Sequence, residues 1–182
     1  MPDAEKPAEN PSKGATSGRH PWYADGTPSA VYAIIKRYRE EATDDREPGA
    51  RAGLLYEIGR LFEEHLGDAR QAEAHYREAL SAFANHVPSL RALRRQALER
   101  RGYSQALELL DREIAVTRDA RSLAALRRER ALLLEHHLGR SEEARTELVQ
   151  AHALDPDDGM ALRALAAAAR RARDWPALRD AL

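Results

Sequence analysis

The chain has 182 residues, 43% of them hydrophobic and 32% charged, with a formal net charge of −1. This length suits one domain or a short repeat array, and the near-neutral charge gives no global field that would attract nucleic acid or a membrane surface. The absence of cysteine excludes disulfides, thiolate metal sites and a cysteine nucleophile.

The N-terminal region has no hydrophobic signal segment, and no apolar run reaches the roughly 18 residues that a membrane helix needs. We therefore predict a cytoplasmic protein. Only three of the 29 basic residues are lysines, a bias that indicates a GC-rich bacterial genome. Residues 1–26 are rich in Pro, Gly, Ser and charge, so we predict a disordered N-terminal tail. Its "HPWY" at 20–23 either docks Trp22 and Tyr23 on the first helix or is a short recognition motif.

Residues 27–182 have the pattern of an all-α domain. Ala, Leu, Glu and Arg dominate and favour helix, while β-branched residues are sparse. Thr27 and Pro28 form a helix-start signal, after which apolar residues recur at spacings of three and four. The next apolar face ends at Gly67, the residue type expected just beyond a helix. Further helices follow, and Ser141 is predicted to be the N-cap of one of them, with acidic residues in its first turn.

An internal repeat runs through this domain. The segment "LGDARQAEAHYREALSAFANH" at 66–86 returns as "LGRSEEARTELVQAHALDPDD" at 138–158, and at the same offset "LRAL" at 90–93 returns at 162–165. The shift from residue 66 to residue 138 also carries Ala72 onto Ala144 and Ala79 onto Ala151. We call this constant shift the repeat offset. Because each repeat unit splits into two helix pairs, the repeat predicts stacked pairs that bury their apolar faces on one another.

These helix pairs resemble the tetratricopeptide repeat family. That family places Leu-Gly between large residues in helix A, then a Gly turn, then Ala, an aromatic residue and Ala in helix B. The matching positions are Leu55, Ile58, Gly59, Phe62, Gly67, Ala72, Tyr76 and Ala79, then Leu90, Leu93, Ala97, Gly102, Ala106 and Leu110, then Gly139, Ala144, Leu148 and Ala151, then Leu162, Leu165, Ala166, Ala169 and Trp175. The resemblance implies a right-handed α-solenoid of antiparallel helix pairs with about four repeats, incomplete at both ends.

Three positions depart from the family pattern. Glu113 stands where the second repeat should have a small residue, and Arg127 and Arg130 occupy apolar sites of the third helix A. The chain also stops inside an expected helix B, at 175–182, without the polar cap that a solenoid end needs. This end predicts a fragment of a longer array, stacking on another copy, or docking on a partner.

The resemblance implies that a partner segment lies in a concave groove lined by the A helices. The register assigns the candidate partner-binding residues Tyr56, Arg60, Arg91, Arg95, Arg128, Arg163 and Arg170, and it places Glu63, Glu135, Leu98, Leu132 and Met160 on the same surface. Arginine offers planar, bidentate recognition of carboxylates, so we predict an acidic partner or a C-terminal carboxylate. The alternative is a solvated helix face, part of which is paired with Glu99 and Glu135.

Other functions are not favoured by the sequence. The basic runs at 91–103 and 170–173 lack interleaved aromatic residues, so nucleic-acid binding is the third hypothesis, behind a scaffold and a purely structural array segment. The seven histidines show no metal-ligand spacing. No glycine-rich phosphate loop, nucleophile elbow or carboxylate dyad occurs, so we predict no enzyme, no cofactor and no metal site.

Overall fold

The computed structural model describes residues 28–174, which form eight α-helices and no strands. The helices are α1 (Pro28–Glu41), α2 (Pro48–Glu64), α3 (Ala69–Ala82), α4 (Val87–Glu99), α5 (Tyr103–Val116), α6 (Ala120–Leu138), α7 (Ser141–Leu154) and α8 (Gly159–Ala172). The all-α prediction is confirmed. The predicted tail, its "HPWY" motif and the segment from Trp175 onward lie outside the described residues, so the domain boundaries stay predictions.

The helices are arranged in pairs along the chain. The most extensive contacts join α2 to α3, α4 to α5, and α6 to α7, and smaller contacts join each pair to the next. Short turns separate the two members of each pair, which makes them antiparallel neighbours. The result is the stack of helix pairs that the repeat predicts.

Helices that the repeat makes equivalent begin one repeat offset apart in the structure. Helix α7, Ser141–Leu154, begins and ends one repeat offset after α3, Ala69–Ala82, and α8 begins one repeat offset after α4. Helix α1 is the exception, since α5 begins later than the repeat offset from α1 would place it. The prediction that Ser141 caps its helix is wrong by one position, because the N-cap is Arg140, without a side-chain cap bond, and Ser141 is the first helical residue.

Small residues let the helices of a pair approach closely, as the family pattern implies. Ala72, Ala79, Ala106, Ala144 and Ala151 are all fully buried. At Gly59 on α2 the helices are so close that an added Cβ would lie 2.5 Å from Cε1 of Tyr76 on α3. Large residues such as Tyr76 then fill the space between the helices, as close packing requires.

The residues that depart from the family pattern are paired polar groups. Glu113 is 0% exposed and accepts hydrogen bonds from Nε of Arg91 at 2.6 Å and Nη1 of Arg94 at 2.7 Å. Arg127 and Arg130 on α6 both donate to Glu147 on α7, at 2.9 and 3.0 Å. A buried carboxylate is tolerated only when it is paired, so each departure carries its own partner.

Candidate partner-binding groove

The first helices of successive pairs, α2, α4, α6 and α8, form one continuous surface. Arg95 on α4 bonds to Glu63 on α2, and Nη2 of Arg94 lies 3.4 Å from Glu129 on α6. Glu135 on α6 accepts from Nε of Arg171 on α8 at 3.1 Å. We call this surface, with the candidate residues on it, the concave groove, after the shape that the family resemblance implies.

The groove section between α2 and α4 contains an aromatic and carboxylate cluster. The Tyr56 ring lies 5.5 Å from that of Tyr76 and 5.6 Å from that of His86, measured between centroids. The Tyr76 hydroxyl donates to Glu63 Oε2 at 2.9 Å, and Gln96 Nε2 donates to Glu63 Oε1 at 2.8 Å. Glu63 therefore links three helices, and its oxygens are taken up by partners within the chain.

Burial and neighbouring charges shift the pKa values of the side chains in this section of the groove. Burial raises the pKa of the Tyr56 hydroxyl, and burial together with the Glu63 hydrogen bond raises the pKa of Tyr76. The hydrogen bond from Arg60 lowers the pKa of Glu64. Burial opposes the charge of Arg95, but nearby Glu63 outweighs it and raises the Arg95 pKa. These side chains are neutral tyrosines and fixed ion pairs near neutral pH.

The section between α4 and α6 holds a surface depression of about 360 Å³. Its wall contains Arg91 from α4 and Arg128 and Leu132 from α6, all of which the register assigns to the groove. The rest of its lining is Ser122, Ala125, Leu126 and Glu129. The depression combines apolar and cationic groups with one carboxylate, Glu129.

The section between α6 and α8 is equivalent in the repeat to the section between α2 and α4, but it carries different side chains. Arg128 bonds to Asp158, and these residues occupy the positions that the repeat makes equivalent to Tyr56 and His86. Leu132 takes the place of Arg60 and is 41% exposed, while Met160 on α8 is 53% exposed. Nη2 of Arg163 lies 2.8 Å from Sδ of Met160. This end of the groove therefore exposes two large apolar side chains beside an ion pair.

The structure places most predicted arginines in bonds to acidic side chains of the same chain. Arg60 donates to Glu57 and Glu64, and Arg91, Arg95 and Arg128 bond to Glu113, Glu63 and Asp158. Arg170 has no side-chain hydrogen bond or ion pair with another described residue. The role of these residues in binding a partner stays a prediction.

Two groove carboxylates, Glu63 and Glu135, join neighbouring first helices; the sequence pointed to pairing by Glu135 but not by Glu63. Glu63 and Glu135 are equivalent positions of the repeat, and each joins its helix to the next first helix. That recurrence at a shared surface position was the available signal.

Among residues 28–174, no group of three or more His, Asp or Glu side chains could hold a metal ion, and no helix is long and apolar enough to cross a membrane.

Several solved structures share this fold. MamA from residue 41 to its end, from Desulfovibrio magneticus RS-1, superposes with a TM-score of 0.59 and 20% identity over 84% of this chain and 80% of that chain. A double mutant of RS-1 MamA superposes with a TM-score of 0.57 and 19% identity, over 84% and 82% of the two chains. A further crystal structure of MamA gives 0.57 and 16% over the same shares.

No protein-family model matches the chain, and no curated protein matches it. At 20% identity the likeness to MamA, a tetratricopeptide-like helical protein, concerns the fold alone. Together with the helix pairs, the small residues at their contacts and the internal repeat, it shows that the chain has the fold of a tetratricopeptide-like α-solenoid.

Proposed function

We propose that the protein is an interaction scaffold that binds a segment of a partner protein in the concave groove. The depression between α4 and α6 is the observation that carries this proposal, because it brings Arg91, Arg128 and Leu132 to one surface. Large apolar side chains exposed beside a few fixed polar groups are typical of binding surfaces. The fold supports the same role, since stacked helix pairs present extended concave surfaces.

The arginines in this depression are held before a partner arrives. Arg91 bonds through Nε to the buried Glu113, and neither Nη atom has a hydrogen bond to a described residue. Arg128 is held by Asp158. Fixed guanidinium groups lose little conformational entropy on binding, so the cost of ordering falls mainly on the partner. An acidic residue on the partner would pair with the free edge of Arg91.

The apolar contribution would come from Leu132 and Met160. Their exposure on neighbouring first helices supports a partner segment that carries a large apolar side chain near its acidic residue. We further propose that the chain acts on this partner in the cytoplasm, without catalysis and without a cofactor. Self-association through residues 175–182 remains a separate prediction, on a segment outside the described residues.

Selection from a displayed library of random twelve-residue peptides tests the proposal. With the full chain immobilised, we expect enriched peptides that contain both acidic and large apolar residues. An enriched peptide is then titrated by fluorescence anisotropy against Leu132→Ser and Arg91→Ala, each of which should weaken binding about tenfold or more, as truncation of an interface anchor does.

Matched variants on the second helices provide the controls. Val149→Ser removes an exposed apolar side chain from α7, and Arg70→Ala removes an exposed arginine from α3. Both should bind the peptide as the wild type does. If no peptide is enriched, or if the control variants weaken binding as much as the groove variants, the groove is not the binding surface.

A further inference from the structure

Helix α1 is attached to the rest of the array mostly by apolar contacts. It packs against α2, where Val31 and Ile35 are buried, and Tyr32 meets the edge of the Phe62 ring at 6.4 Å between centroids. Among described residues, one side-chain hydrogen bond joins α1 to another helix: Nη2 of Arg39 lies 3.0 Å from Nε2 of His75 on α3. The attachment of α1 therefore includes one titratable group.

The His75 ring is enclosed. Its side chain is 6% exposed, and it stacks on Phe62 of α2 with centroids 5.4 Å apart and planes 10° apart. Its Nδ1 lies 3.2 Å from Oε2 of Glu78 on its own helix. The charged groups that face the ring are thus Arg39 from α1 and Glu78 from α3, while α2 contributes the aromatic face of Phe62.

This arrangement requires a neutral ring. A guanidinium can only donate, so Nε2 must accept from Arg39, and the ring proton lies on Nδ1, toward Glu78. Protonation would add an N–H at Nε2 and set two donors and two positive charges against each other at 3.0 Å. Burial and the Arg39 charge both lower the pKa of His75, and they outweigh Glu78, which acts in the opposite direction.

We propose that protonation of His75 loosens α1 from the array, so that mild acid uncovers the apolar face of α2 beneath it. The docked state binds fewer protons than the undocked state when the pH approaches the ordinary histidine pKa of about 6.5. Docking is therefore complete above that pH and weakens as the pH falls below it. The inference does not depend on the partner-binding groove.

Hydrogen exchange on the full chain tests this inference. The amides of α1 are compared at pH 7.5 and 5.5, after correction for the intrinsic exchange rate, with α5 as the internal reference. We expect the protection of α1 to fall at the lower pH by up to about tenfold, the limit that protonation of the undocked ring sets one pH unit below the ordinary histidine pKa of about 6.5. His136→Gln, which changes an exposed histidine on α6, should show the same fall.

Two variants separate the effect of His75 protonation on α1 from other effects of acid. His75→Gln can still accept from Arg39 but does not titrate, so the fall in α1 protection should disappear. Arg39→Gln removes the opposing charge but leaves the ring buried, so the fall should become smaller without disappearing, even if His75→Gln folds poorly. Equal protection of wild-type α1 at both pH values overturns the inference, and so does an undiminished fall in either variant.

Discussion

Gly67 and Gly139 are equivalent positions of the internal repeat and share a left-handed backbone conformation, with φ of 66° and 67°. Each follows a first helix and leads into the second helix of its pair. The other two left-handed residues described are Arg101 and Arg173, which are also equivalent in the repeat, with φ of 58° and 56°. The repeat is therefore a property of the backbone, even where the residue types differ.

These turns predict opposite effects of two glycine exchanges. A residue with a Cβ is strained at positive φ, so Gly67→Ala should lower the free energy of unfolding by about 1 kcal/mol, and Arg101→Gly should raise it by up to about 1 kcal/mol. Urea denaturation followed by circular dichroism measures both. A shift in the same direction for the two variants would show that turn strain is not the cause.

A second pair of glycines separates packing from helix propensity within α2. Gly53→Ala meets no atom within 4 Å and should raise the unfolding free energy by about 0.5–1 kcal/mol, because alanine favours helix. Gly59→Ala would press on the buried Tyr76 ring and should lower it by about 1–3 kcal/mol. Thermal denaturation of the two variants should move in opposite directions. A stable Gly59→Ala protein would contradict the close contact of α2 with α3.

The buried Glu113 gives a third prediction. Glu113→Ala leaves Arg94, whose side chain is 13% exposed, without its main partner, and should cost about 3–5 kcal/mol of unfolding free energy. Arg91→Ala removes a side chain that is 60% exposed and should cost much less. Urea denaturation compares them.

The double variant Glu113→Leu with Arg94→Met is the control for this pair. It removes both charges together, so it should be far more stable than Glu113→Ala. If the double variant is as unstable as the single one, the loss reflects packing volume rather than an unpaired charge.

Glu73 gives a prediction about pH. The hydrogen bond from Arg100 lowers the pKa of this carboxyl, which means that the folded state holds the proton less tightly than the unfolded state. Its contribution to stability is present near neutral pH and is lost as the pH falls below about 4.3, the ordinary value for glutamate. The difference in unfolding free energy between wild type and Glu73→Gln should therefore shrink in acid. A constant difference from pH 7 to 3 would rule out this charge effect.

The fold could be predicted because its determinants are local and periodic. The spacing of apolar residues gives the helices, and small residues such as Ala72 and Ala144, recurring at the repeat offset, give the pairs. The one-residue error at Ser141 arises because the helix begins at Ser141 itself, and the preceding Arg140, whose side chain has no acceptor for helix N–H groups, bonds to Glu143.

The bonds between side chains in the candidate site were less predictable than the fold. The register placed Arg91, Arg95 and Leu132 on one surface, and in the structure Arg91 and Leu132 lie in the wall of one depression. The register could not show that Arg95 bonds to Glu63 or that Arg91 bonds to Glu113, because each bond joins two helices and depends on how those helices are displaced and rotated against each other. Sequence spacing fixes the face of a helix, but not which long side chains meet across an interface.

Photo-cross-linking tests the central claim, that the concave groove binds the partner, most directly. Benzoylphenylalanine replaces Ala125, in the depression between α4 and α6, or Ala153, exposed on the second helix α7. The probe is a peptide enriched by the full chain from the displayed library. Cross-linking from position 125 with little from position 153 is the result we predict. Efficient cross-linking from position 153 with none from position 125 would contradict the groove as the binding surface.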